Sequence, residues 1–212
     1  MVRVKNTIPI LAVIGNKGSG KTLFIEALTK VLTDRGYGVG AVKHIPHTNF
    51  TIDTPNTDTW RYSKAGAHVV VSVSPEERAV IRKVELNDDD LRAILKFLIN
   101  EEVDVLIVEG FRSLVKDNPE IPKVVMVKME DNTPEMLTQN KNILAVVGPI
   151  NPANLLEAPY YKINEVERVA DEIEKLIKAT IIQRKLPNLD CGLCGFETCL
   201  EHAKAIYEGK SK

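Results

Sequence analysis

"IPILAVIGNKGSGKT", Ile8 to Thr22, decides the fold. Its first half is an apolar run of strand length. Its second half, "GNKGSGKT" (Gly15 to Thr22), fits the phosphate-loop pattern G-x-x-x-x-G-K-[ST] at every fixed position. The segment Leu23 to Thr33 then carries Phe24, Leu28, Val31 and Leu32 on one helical face. A buried strand, a glycine-rich turn and an amphipathic helix, in that order, open a nucleotide-binding sheet. The residue types follow from the chemistry. Glycines let successive amides, from about Gly18 to Thr22, turn inward on a phosphate, and the positive end of the helix dipole adds to them. Lys21 supplies a full charge, and the Thr22 hydroxyl is placed to join a magnesium ion bridging the outer phosphates.

Outward from this unit, apolar runs of strand length alternate with segments of helical period, which predicts a parallel sheet covered by helices. Val39–His44 reads as a second strand and Thr48–Asp58 as a polar loop. His68–Val73 and Ala79–Val84 read as a hairpin around "SPEER". Asn87–Glu102 has Leu91, Ile94, Leu95 and Leu98 at helical spacing, with Asp88, Asp89 and Asp90 crowding its start, where the dipole favours negative charge. Val103–Gly110, Lys123–Met129 and Ile143–Gly148 read as three further strands. Asn164 and Glu167 form the pattern of a capping box ahead of a last long helix marked by Val166, Val169, Ala170, Ile173, Leu176 and Ile177. The expected architecture is an α/β, P-loop NTPase-like fold: a mostly parallel sheet flanked by helices over residues 1–185, and a small metal-organised segment over 186–212.

Composition narrows the partners. Of 212 residues, 28 are Lys or Arg and 29 are Asp or Glu, so no global field holds a nucleic acid or an anionic membrane. The apolar run Ile8 to Gly15 is far shorter than the roughly 20 residues of a membrane span, and no signal-cleavage pattern follows it. A cytoplasmic protein without nucleic-acid or membrane partners is expected.

A phosphate loop needs a second group to handle metal and water, and "VDVLIVEGF" offers Asp104 and Glu109. If this strand runs parallel to the first, its carboxyl end lies at the ligand edge. Glu109 is at that end. Asp104 is about 17 Å back at roughly 3.3 Å per residue and reads as a solvated strand start. The loop leaving the second strand holds Lys43, His44, His47, Asp53, Asp58 and Arg61, candidates for a switch segment that senses the terminal phosphate.

"GNKGSGKT", "VKHIPH", "DTWRYSKAGA" (Asp58–Ala67) and "LIVEGFR" (Leu106–Arg112), in this order and at these spacings, resemble the molybdopterin-guanine dinucleotide biosynthesis protein B family. The resemblance implies a GTP- and magnesium-binding accessory protein with weak GTPase activity. It would assist a molybdopterin guanylyltransferase, or another molybdoenzyme maturation partner, and a homodimer is among the expected assemblies. It further implies that Gly15, Asn16, Gly18, Ser19, Gly20, Lys21 and Thr22 bind phosphate, that Thr22 and Glu109 serve the magnesium, and that Glu109 acts in hydrolysis. Base reading has no such support. "NKNI" (Asn140–Ile143) lacks an aspartate and precedes its strand, and "PINPAN" offers Asn151 and Asn154 but no acid, so ATP stays open beside GTP. A nucleotide-driven carrier of metal clusters or electrons, and a small-molecule kinase with Arg78, Arg82 or Arg112 as lid residues, stand as alternatives.

All three cysteines, Cys191, Cys194 and Cys199, fall in "CGLCGFETC", a distribution for ligands rather than for disulfides. "LPNLDCGLCGFETCLEHAKAIYEGK" resembles the small four-cysteine iron-sulfur domain of corrinoid and electron-transfer proteins. Zinc, with His202 completing a Cys3His set, is the alternative. The fourth cluster ligand of that domain is a downstream cysteine. The expectation is that the natural chain continues to one, with Asp190, His202 or an open iron as the other readings.

Overall fold

A computed structural model describes residues 8–83, 102–129, 131, 133–149, 151 and 158–211. The chain forms two compact units, one of Met1–His44 with Leu91–Lys212 and one of Ile45–Asp90. The helix expected over Asn87–Glu102 lies outside the described residues except for Glu102.

The larger unit is built on a six-stranded sheet in the order β2-β5-β1-β6-β7-β8. Its strands are β1 (Ile10–Gly15), β2 (Val39–Lys43), β5 (Val105–Glu109), β6 (Lys123–Met126), β7 (Ile143–Val147) and β8 (Tyr160–Tyr161). Every pair is parallel. Parallel strands buried on both faces read as unbroken apolar runs. β1 shows how two cores share one strand. Ile10, Ala12 and Ile14 face a cluster with Leu106, Val108, Val125 and Val146, whereas Leu11 and Val13 face Phe24, Leu28, Val124 and Ile173. The second face is covered by α1 (Lys21–Asp34) and the long helix α5 (Val166–Gln183). On the first face lie two short helices, α3 (Arg112–Val115) and α4 (Thr133–Thr138), through Val115, Met136 and Leu137.

Two local readings are corrected. Asn164 does not cap α5. The N-cap is Glu165, with no side-chain cap bond to the helix; its carboxylate instead accepts from the Lys162 amide at 2.8 Å and from Arg168 at 2.6 Å. A capping box is present instead at α6 (Cys199–Tyr207). There Thr198 accepts from the Glu201 amide and Glu201 reaches back to the Thr198 amide. Asp104 is half-buried rather than solvated, and its carboxylate takes the Gly38 amide at 2.9 Å, tying the start of β5 to that of β2.

In the smaller unit, α2 (Asp58–Lys64) is capped by Thr57, and β3 (Val69–Val73) pairs antiparallel with β4 (Arg78–Arg82). This is the expected hairpin, its second strand running from Arg78 to Arg82. Val70 is buried, while Val69, Val71, Val73 and Val80 are exposed.

Candidate functional site

The phosphate loop leaves β1 at its carboxyl end. Gly15 has no room for a side chain, because a β-carbon there would meet the Met126 carbonyl at 2.5 Å and Ser19 Oγ at 2.6 Å. Gly18 and Gly20 hold φ of +80° and +84°, a left-handed conformation that costs other residues roughly 1–2 kcal/mol. Gly20 is the N-cap of α1, and the first amides of any helix have no acceptor within it. The Lys21 ammonium lies back over the loop and donates to the Gly15 carbonyl at 3.0 Å and the Asn16 carbonyl at 2.8 Å. Burial pushes the Lys21 pKa below its usual value, with Glu109 working the other way and Lys43 adding to the depression. Ser19 is only 7% exposed and its hydroxyl has no hydrogen-bond partner. The first amides of α1, a hydroxyl without a partner and a lysine resting on carbonyls fit an anion with several acceptor oxygens.

Glu109 stands where the parallel reading puts it. Its backbone aligns with Val13 of β1 and with Lys43 of β2, so it closes β5 at the edge that carries the phosphate loop. Its carboxylate is 16% exposed and pairs with Lys43 Nζ at 3.3 Å. Glu109 and Thr22 line one groove, with Ala41 of β2 also in its wall. Magnesium needs only one or two protein oxygens beside phosphates and water, and these two side chains fit that requirement.

The motif residues around Glu109 interlock. The His44 amide donates to the Glu109 carbonyl at 2.9 Å, and the His44 ring lies 4.9 Å from that of Phe111. Gly110 has φ +94°, and a β-carbon there would meet His44 Cβ at 2.7 Å. Phe111 itself holds φ +52°. Residues held in this region store roughly 1–3 kcal/mol of strain, which the buried Phe111 ring helps to hold in place. "KH" and "EGF" therefore belong together because one packs on the other.

The other switch candidates fall in the smaller unit. Asp58 and Arg61 are exposed and lie 3.6 Å from each other on α2. Asp53 organises its own loop, accepting from the Thr54 amide and from the hydroxyls of Thr57 and Thr59. Asn140 precedes β7, at the far edge of the sheet, and Asn154 lies outside the described residues.

Asp131 was missed. It follows β6, and its carboxylate takes the Asn16 amide group at 2.8 Å and the Lys128 backbone amide at 2.9 Å. Asn16 thus has its side chain turned to Asp131 and its carbonyl to Lys21. The edge argument used for Glu109, applied to the strand "KVVM" and the acids after it, would have found Asp131.

The cysteine segment is built differently. Cys191 and Cys194 are exposed, and Cys199 is buried as the first residue of α6, which packs along α5. Among the described residues no three His, Cys, Asp or Glu side chains are grouped closely enough to hold a metal ion. Asp190 accepts from the Cys199 amide at 2.7 Å. His202 stacks on Phe196 at 5.0 Å and lies 3.2 Å from Ser211 Oγ. Three thiols suit iron and sulfide by donor chemistry, but in this arrangement they do not enclose a metal.

Comparison with known proteins agrees with this anatomy. Residues 10–149 match the family model described as molybdopterin guanine dinucleotide synthesis protein B, and residues 186–212 match one described as "Putative Fe-S cluster". The chain is 30% identical over 169 residues to the molybdopterin-guanine dinucleotide biosynthesis adapter protein of Escherichia coli, covering 79% of this chain and 92% of that one. It is 30% identical over 203 residues to a Methanocaldococcus jannaschii protein named "putative molybdopterin-guanine dinucleotide biosynthesis adapter protein", covering 96% of this chain and 74% of that one. The crystal structure of Bacillus subtilis MobB superposes with a TM-score of 0.63 at 25% identity, covering 78% of this chain and 98% of that one.

Proposed function

The chain belongs to the molybdopterin guanine dinucleotide synthesis protein B family, and from that premise we propose that it is a GTP-binding adapter in molybdenum cofactor biosynthesis with slow GTP hydrolysis. The observation that carries the nucleotide reading is the register of β1, β2 and β5, which brings Glu109 and Lys43 to the edge where Lys21 and Thr22 stand.

On this reading the amides from Gly18 to Thr22 bind the phosphates. Lys21 exchanges the carbonyls of Gly15 and Asn16 for phosphate oxygens. Thr22 and Glu109 would hold magnesium, whose charge would offset that of the outer phosphates. Lys43 keeps Glu109 compensated until then, and Glu109 is the group placed to orient water. Asp131 fixes the Asn16 side chain and with it the start of the loop. Lys43, His44, Asp58 and Arg61 keep the role of switch candidates, the first two with direct contacts to the Glu109–Phe111 corner. The site residues Gly15, Asn16, Gly18, Ser19, Gly20, Lys21 and Thr22 are assigned to phosphate on the same grounds.

The adapter would present nucleotide or cofactor to a guanylyltransferase partner in the cytoplasm. Among the described residues no helix is long and apolar enough to cross a membrane. The segment 186–212 is proposed as a separate functional module, with Cys191, Cys194 and Cys199 as ligands of an iron-sulfur cluster. The match of this segment favours a second reading, in which nucleotide turnover drives delivery of a cluster or of electrons.

Equilibrium binding of a fluorescent GTP analogue, with and without magnesium, tests the first step. GMP transfer by a guanylyltransferase, with and without this protein, tests the second. Magnesium-dependent binding and a faster transfer are expected, and absence of binding would remove the nucleotide reading.

A further inference from the structure

A pocket of about 280 Å³ adjoins the phosphate loop on the side away from Glu109's strand, at the carboxyl ends of β6, β7 and β8. Ser19 is common to loop and pocket. Val127, Pro149 and Ile163 give it apolar walls, and Lys162 and Asn164 stand at its margin. Its floor is fixed by packing. Gly148 lies so close to β6 that a β-carbon would meet the Val127 carbonyl at 2.4 Å, and Tyr160 Oη donates to the Gly148 carbonyl at 2.7 Å. Ile163 reaches over the loop, its Cδ1 3.1 Å from where a β-carbon on Gly20 would be, and it is 48% exposed.

Pockets that enclose a whole drug-sized ligand run from about 300 Å³ upward, so this one suits an end of a ligand whose remainder lies next door. The neighbour is the phosphate loop. Apolar walls with few polar groups suit a flat heteroaromatic ring, and Ser19, whose buried hydroxyl has no hydrogen-bond partner, belongs to both the loop and the pocket lining. Among the described residues Lys162 is the one charged side chain lining the pocket. A 6-oxopurine presents two adjacent acceptors, O6 and N7, to such a donor, whereas a 6-aminopurine presents a competing donor beside N7.

We propose that this pocket seats the base of the nucleotide held on the phosphate loop, packed against Ile163, and that Lys162 selects a 6-oxopurine over a 6-aminopurine. This rests on the nucleotide reading above and supplies what the missing aspartate after β7 does not.

The test uses the full chain, titrated with magnesium GTP, magnesium ATP and tripolyphosphate. Ile163→Ser is expected to weaken GTP about fivefold while tripolyphosphate changes less than about twofold, as loss of apolar ring contact requires. Lys162→Ala should shrink the GTP-to-ATP affinity ratio about tenfold, the scale of one well-placed base contact. Photolabelling with 8-azido-GTP should mark the tryptic peptides Asn142–Lys162 or Ile163–Arg168, which carry Gly148, Pro149, Lys162 and Ile163, and a label confined to peptides that carry no pocket residue overturns the proposal. Unchanged GTP affinity in both variants also overturns it, and if Lys21→Ala still loses GTP and tripolyphosphate, the phosphate loop reading survives alone. If the parent chain binds neither ligand, the nucleotide reading fails and the base seat falls with it.

Discussion

Two lysines, one at each end of the sheet, do the same thing for different reasons. Lys21 at the carboxyl edge donates to two backbone carbonyls, those of Gly15 and Asn16. Lys123, at the start of β6 on the opposite edge, donates to three: Asn118 at 2.8 Å, Ile121 at 2.8 Å and Lys141 at 2.6 Å. Lys123 is fully buried and pins the two connections that enter β6 and β7, so its bonds have nowhere to go. Lys21 is half-buried beside the start of α1, an orphaned hydroxyl and a carboxylate, so a ligand can take its bonds over. A lysine that satisfies backbone carbonyls is structural when sealed in. It is a poised ligand group when the same bonds lie on a solvent-facing loop.

The comparison breaks first at Lys123. Lys123→Met should cost about 3 kcal/mol, because three carbonyls, that of Ile121 fully buried and those of Asn118 and Lys141 partly so, lose their donor, each worth roughly 1–3 kcal/mol when stranded. Urea unfolding would measure it, and a loss under about 1 kcal/mol would make Lys123 as dispensable to the fold as Lys21. At the other end, Glu109→Gln should slow any GTP hydrolysis by about 10², since it removes the group placed for water and metal. Asp104→Asn should leave the rate alone and lower stability by about 1 kcal/mol through the weakened Gly38 bond. A rate more sensitive to Asp104 than to Glu109 would contradict the parallel register.

Lys21→Ala should weaken GTP about 30-fold, the range of a charge-assisted bond to phosphate, with the unfolding midpoint unchanged. The last effect is in pH. Burial holds Lys123 at about 8 against 10.5 for a free lysine, despite help from Asp117. Between those values the unfolded chain binds more protons than the folded one, so stability rises with pH across that window. Below about 8 both states are protonated and the full cost of burying the charge is present. Thermal melts of the parent should show this rise, and Lys123→Met should lack it.

Much of the site was legible because the signals were local. A fully buried strand, glycines at fixed offsets and one amphipathic face specify the β1-loop-α1 unit without help from the rest of the chain. Glu109 over Asp104 needed only the assumption that β5 runs parallel to β1. The failures were where a side chain had two local options. Asn164 and Glu167 match the spacing of a cap, but Glu165 starts α5, because its carboxylate gains the Lys162 amide and Arg168 together. Short elements such as α3, α4 and β8 carry too few residues for a period to emerge.

By itself the sequence determined the phosphate loop, the strand-helix alternation and the clustering of three thiols, since each depends on residues near one another along the chain. Only the tertiary structure decided which distant residues meet. Asp131 comes to Asn16 because β6 lies beside β1, and the His44 ring meets Phe111 because β2 lies beside β5. The seat next to Ser19 exists because β6, β7 and β8 end together at the loop. Strand order has no local signature. It is set by the packing of both sheet faces at once, where Val124, Ala145, Val169 and Ile173 fill one core and Ile121, Val125, Leu137 and Val146 fill the other.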